Sequence, residues 1–139
     1  MSQENVATIR GMYEAFGRGD IPQVLGQMDQ AAEWHQAENF IYADRSPYIG
    51  PQAVLEGVLM RFGSEWEDFT VAPEEWLDAG HRVVVLGTYS GTHKTTGRTV
   101  RAQFAHIWGV KEGKVVRFQQ YTDTKQFAEV VASAHAQSA

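Results

Sequence analysis

Thr99-Val-Arg-Ala-Gln-Phe-Ala-His-Ile-Trp108 alternates in character with the two-residue period of a β-strand. Its even positions, Val100, Ala102, Phe104, His106 and Trp108, make one apolar face interrupted by a single titratable group. An imidazole on such a face must find a hydrogen-bond partner or bear the cost of desolvation. A tight turn at Lys111-Glu-Gly-Lys114 has Gly where the backbone needs positive φ, and it leads into a second strand, Val115 to Thr122. Gln120 sits among that strand's apolar positions. Two facing strands, each with one polar group on the buried side, describe a pocket wall better than a solid core.

Working back from this hairpin, Arg82 to Tyr89 reads as a strand, with Gly91 to Gly97 as a polar connection. Phe69 to Pro73 and Glu75 to Leu77 are short strand candidates before the turn Asp78-Ala-Gly80. Upstream of Glu65 the period changes to that of helices. Val6, Ile9, Tyr13 and Phe16, with Met12 beside them, share one helix face. Gly17-Arg-Gly19-Asp20 ends that helix, and Asp20 caps a second one with Pro22 in its first turn and Val24, Leu25 and Met28 inward. Ala31 to Gln36 reads as a strand and Asn39 to Pro51 as a loop. Pro51 opens a third helix with Val54, Leu55, Val58, Leu59 and Phe62 inside. Thr124 to Ala134 reads as a short last helix capped by Asp123. Helices first and an antiparallel meander after them predict an α+β layout with the helices on one face of a curved sheet.

Residues 1–139 read as one domain, long enough to bury a core without staples. A formal charge of −5 with no Lys/Arg cluster offers no stripe for nucleic acid. The chain has no cysteine, which removes disulfides, thiolate nucleophiles and Cys-based zinc sites, and it fits a reducing cytoplasm. Met1-Ser-Gln-Glu-Asn5 has neither the basic nor the apolar region of a signal peptide, and no apolar run suits a membrane helix. Signatures for nucleotide, dinucleotide, nucleophile-elbow and zinc-protease chemistry are absent.

Arg18-Gly-Asp20, Gly50-Pro51-Gln-Ala-Val54, Leu86-Gly-Thr-Tyr-Ser-Gly91, Phe104-Ala-His-Ile-Trp108, Glu112-Gly-Lys-Val-Val116 and Gln120-Tyr-Thr-Asp123 follow one another in the order of a known family. Over nearly its whole length the chain resembles the SnoaL-like, ketosteroid-isomerase-related group of the NTF2-like superfamily. The resemblance implies an α+β cone: a curved mixed or antiparallel sheet wrapped around an inner pocket, with the N-terminal helices packed on one face. It implies no single activity, because the fold hosts isomerases, polyketide cyclases, epoxide hydrolases, dehydratases, transport factors and binding proteins. The strand histidine lining the cyclase pocket matches His106. The acidic residue of the cyclases and epoxide hydrolases falls on Gln120, an amide that exchanges no protons near neutral pH. The isomerase base falls near His35, and not on an Asp.

His106 and His35 are therefore the candidate proton-handling groups, with an unperturbed imidazole pKa suited to neutral pH. Gln120 and Tyr42 are candidates to orient a carbonyl or hydroxyl. Trp34, Trp66, Phe104, Trp108 and Phe118 are candidate walls for a flat apolar ligand, and Tyr13 and Phe16 candidates to close its far end; each also suits ordinary core packing. Glu38 and His35 alone do not make a metal site, so no metal or cofactor is expected. His81, His93 and His135 are expected to face solvent. The outer face of the late strands, Gln103, Ala105, Ile107, Val115 and Tyr121, carries apolar surface that a second copy could cover, and a homodimer is also what the resemblance implies. Two functions follow. One is isomerase- or cyclase-type acid/base catalysis on a small hydrophobic cyclic or polyketide-like molecule. The other is non-catalytic binding of such a molecule, since the carboxylate is missing.

Overall fold

The computed structural model describes residues 2–138, with side chains described for residues 3–132; the expectation for His135 lies outside them. Helix α1 (Ser2–Gly17) is followed by α2 (Ile21–Gly26), β1 (Met28–His35) and the short β2 (Tyr48–Ile49). A helical stretch comes next: α3 (Pro51–Val54), a π-helical turn (Leu55–Leu59) and α4 (Met60–Glu65). Then come β3 (Trp66–Ala79), β4 (Arg82–His93), β5 (Thr99–Lys111), β6 (Lys114–Thr122) and α5 (Thr124–Ser138). The strands form one sheet in the order β2-β1-β6-β5-β4-β3. All neighbours are antiparallel except β1 and β6, so the sheet is mixed. This is the α+β arrangement that the element order predicts. No described helix is long and apolar enough to cross a membrane.

Local chemistry sets the boundaries. The Asp20 carboxylate accepts from the Gln23 N–H at 3.2 Å, as an N-cap should. Asp123 does the same for Gln126 N, which starts α5. At the β5–β6 turn Glu112 (φ 51°) and Gly113 (φ 77°) are both left-handed, the conformation of a two-residue hairpin turn. Register shifts in β3, in β1 and between Gly109 and Val110 mark bulges, which bend strands and increase twist. The buried face of the bent sheet is met by α1, α5 and the helical stretch.

Several expectations change. Met28 begins β1 and does not end α2, though it is buried as expected. The loop before Pro51 contains β2, whose Tyr48 pairs with Trp34. Phe69 to Leu77 belongs to one long strand: β3 is a sheet edge, and the shift between Pro73 and Glu75 absorbs the residue that lacks an N–H. Val115 is 1% exposed and faces the core, because the bulge beside Val110 reverses the alternation there. His93 is buried at 8% exposure instead of facing solvent, since β4 extends to it. Its ring centroid lies 5.0 Å from that of Trp66. His81 is exposed, as expected.

Candidate functional site

Strand register decides which side chains meet. Trp76, Val85, His106 and Gln120 stand side by side across β3, β4, β5 and β6. Val83, Trp108, Phe118 and Trp34 form the next inward row, in which the Trp34 and Phe118 rings stack at 3.9 Å. Over these rows, α1 lays Met12, Tyr13 and Phe16, and the π-helical turn lays Val58 and Leu59. Between the layers is a small hollow with a cavity volume of about 70 Å³. Its wall is mostly apolar, and no Asp or Glu among the described residues lines it.

His106, 4% exposed, is held at both ring nitrogens. Nδ1 lies 2.5 Å from the Tyr13 hydroxyl and Nε2 lies 2.5 Å from the Tyr89 hydroxyl. Trp108 Nε1 donates to the Tyr13 oxygen at 2.9 Å, and Gln120 Nε2 donates to the Tyr89 oxygen at 3.0 Å. Gln120 Oε1 in turn accepts from Ala37 N at 3.2 Å. Gln120 thus reaches His106 only through Tyr89, although the two are register partners. The Phe104 ring stacks on the imidazole at 3.9 Å. Burial pushes the His106 pKa well below the ordinary value, because nothing nearby offsets a positive charge. Burial likewise raises Tyr13 and Tyr89, more than the hydrogen bonds from Trp108 and Gln120 lower them. The arrangement is a neutral chain of donors and acceptors in which the ring can carry its hydrogen on either nitrogen.

Of the predicted site residues, His106, Gln120, Trp34, Trp108, Phe118, Tyr13 and Phe16 border the hollow together. His35 does not join them. Strand alternation puts Ala32 and Trp34 inward and His35 on the outer face, opposite Gln119, where it contacts Glu33 at 3.1 Å. His35 and His106 therefore cannot act on one ligand. Phe104 backs the imidazole without lining the hollow. Tyr42 and Trp66 belong to a neighbouring cluster. The Tyr42 hydroxyl donates to the Glu65 carboxylate and accepts from Trp66 Nε1 at 3.0 Å, and its ring lies under the Arg61 guanidinium. Glu38 is exposed. Two functional candidates were overlooked in the sequence, Tyr89 and Gln36. Tyr89 shares the parity of Val83 and Val85, and Gln36 that of Trp34, so alternation alone places both inward.

Comparison with known proteins gives the family and the fold. The model of the SnoaL-like domain family matches residues 9–118. An NTF2-like protein from Burkholderia thailandensis E264 is 32% identical, with a TM-score of 0.86 over 91% of this chain and 95% of that one. TerC, co-crystallised with polyporic acid, is 28% identical, with a TM-score of 0.81 over 92% of this chain and 98% of its own. A protein from Jannaschia sp. CCS1, proposed to be a SnoaL-like polyketide cyclase, shares the fold with a TM-score of 0.82 at 15% identity, covering 96% of this chain and 94% of that one. No curated protein matches the sequence. The chain belongs to the SnoaL-like domain family within the NTF2-like superfamily.

Proposed function

We propose that the hollow takes up a small, flat, largely apolar cyclic or polyketide-like molecule and that Tyr13, His106 and Tyr89 handle a proton on its carbonyl oxygen. The observation that carries this reading is the imidazole held between two tyrosine hydroxyls at an apolar wall. A hydroxyl donating to a carbonyl in a dry site stabilises the enolate-like charge of an isomerisation or cyclisation. As Tyr89 gives its proton to the carbonyl oxygen it regains one from His106 Nε2–H, and Nδ1 takes the Tyr13 proton. The Tyr13 oxygen accepts the α-proton that the ligand gives up, so every group ends neutral. Kinship with TerC makes polyporic acid a sensible first probe.

The second reading is binding without chemistry. It is favoured by the absence of a carboxylate among the described residues that line the hollow and by the amide at Gln120. One experiment separates the two. Binding of polyporic acid and a panel of cyclic ketones is followed by calorimetry, and exchange of the ketones' α-protons in heavy water by NMR. The catalytic reading expects binding together with accelerated exchange that Tyr89→Phe slows. Binding with no exchange leaves the second reading. No binding of any ring compound by folded protein defeats both.

The proposal extends to a second copy of the chain on the outer face of the sheet. There Leu77, Val84, Ile107 and Gln119 lie in one row, and Tyr121 is 54% exposed.

A further inference from the structure

The polar side chains of the hollow can each be followed to their partners, and two donors are left over. Gln36 is 6% exposed and lines the hollow. Its Oε1 accepts from Trp34 Nε1 at 3.1 Å. An indole nitrogen only donates, so this contact fixes which way round the amide lies. Nε2, also buried, has no hydrogen-bond partner among the described residues. Buried side-chain nitrogens in folded proteins are nearly always paired, so this one calls for an acceptor.

The other donor is a hydroxyl hydrogen. A neutral imidazole carries a hydrogen on one nitrogen and accepts at the other. If Tyr13 donates to Nδ1, then Nε2–H donates to Tyr89, whose oxygen already receives Gln120 Nε2. The Tyr89 hydrogen then has no place in the chain. The opposite tautomer frees the Tyr13 hydrogen instead, since the Tyr13 oxygen already receives Trp108 Nε1. Either way one hydroxyl hydrogen is unspent. Acceptors are scarce by comparison: the amide oxygens of Gln36 and Gln120 are both engaged, and no carboxylate of the described residues lines the space.

We infer that Gln36 anchors the ligand and sets its specificity, selecting ring compounds whose polar groups are acceptors, such as diones, quinones and their enolates, over ring amines. One oxygen meets the free tyrosine hydroxyl and a second meets Gln36 Nε2. A ring amine would bring further donors to a wall already in excess of them. This rests on the reading of the hollow as a small-molecule site.

Three fused-ring probes of similar shape test it: naphthoquinone, naphthalene and diaminonaphthalene, titrated by calorimetry into wild type and Gln36→Met. Wild type should bind the quinone about ten-fold or more tighter than the diamine. Gln36→Met should weaken the quinone by about ten-fold and leave naphthalene within about three-fold. A glutamine that only packs would move all three probes together, and that result would overturn the inference. So would a quinone bound no tighter than the diamine. A second readout needs no variant: the side-chain amide signals of Gln36 in ¹⁵N-labelled wild type should shift with the quinone and stay put with naphthalene. Unmoved signals under saturating quinone would also overturn it. If none of the three probes binds wild type, the small-molecule reading itself fails, which is distinguishable from a failure of selectivity.

Discussion

The imidazole of His106 meets two tyrosine hydroxyls and a phenyl face, and burial depresses its pKa. A depressed pKa means that the unfolded chain takes up this proton at higher pH than the folded one. Between the unfolded value, near 6.5, and the lower folded value, the unfolded state therefore binds more protons. The stabilisation is complete above about pH 6.5 and is lost as pH falls below it, with a limiting slope of about 1.4 kcal/mol per pH unit for one proton. Denaturant melts between pH 8 and 5 should show this slope in wild type and a smaller one in His106→Gln; equal slopes would count against a buried neutral ring. Tyr89→Phe should cost about 2–4 kcal/mol by the same melts, because it leaves His106 Nε2 and Gln120 Nε2 both short of a partner. A loss below about 0.5 kcal/mol would mean the two groups re-pair without it. Much of this site was readable beforehand. The apolar face of Val100 to Trp108 placed His106, and the hairpin placed Gln120 opposite. His35 was expected in the site and Gln36 was not, although the parity of Trp34 puts His35 on the other face and Gln36 inward. What alternation could not supply was the crossing of α1 that brings Tyr13 onto the imidazole, since that contact joins elements far apart in the chain.

Among the elements, the helical stretch after Pro51 departs furthest from its apolar pattern. Spacing places Val54, Val58 and Phe62 inside, and they are buried. It says nothing of the π-helical turn that carries Val58 and Leu59 to the hollow, because a π turn is a response to packing and has no period of its own. The reversed facing of Val115 is hidden for the same reason, since it follows from a bulge between paired strands. Gly57 shows what packs against the π turn. A Cβ there would lie 2.1 Å from Tyr48 Cε1. The Tyr48 ring is tethered by its hydroxyl, which donates to the Tyr42 carbonyl at 2.7 Å, so it cannot simply swing aside. Helix propensity favours Gly57→Ala by about 1 kcal/mol, while overpacking opposes it by about 1–3 kcal/mol. With contact this close the second effect wins, and thermal melts should show a net loss of up to about 2 kcal/mol. A stabilised variant would mean that Tyr48 is free to move.

At the scale of the molecule the sheet presents two faces, and the homodimer proposed above concerns the outer one. In the inward row Trp76, Val85, His106 and Gln120 the last two line the hollow, and the outward row one residue along, Leu77, Val84, Ile107, Gln119 and His35, faces away from it. The outward row is apolar at its centre. At one margin the Glu33 carboxylate bridges His35 and Arg117, each at 3.1 Å, as in the polar rim of an interface. Pairing copies through this face buries Ile107 and Tyr121 while leaving the hollow on the far side of each sheet. Sedimentation of the wild-type chain at micromolar concentration should give about twice the mass of one chain. Ile107→Glu would set two like charges near one another inside an apolar patch and should give single chains. Since Ile107 points away from His106, the variant should keep the pH slope of the wild-type melts, and that retained slope shows the fold is intact. A wild-type monomer, or a variant that still pairs, would rule out this face as the seam.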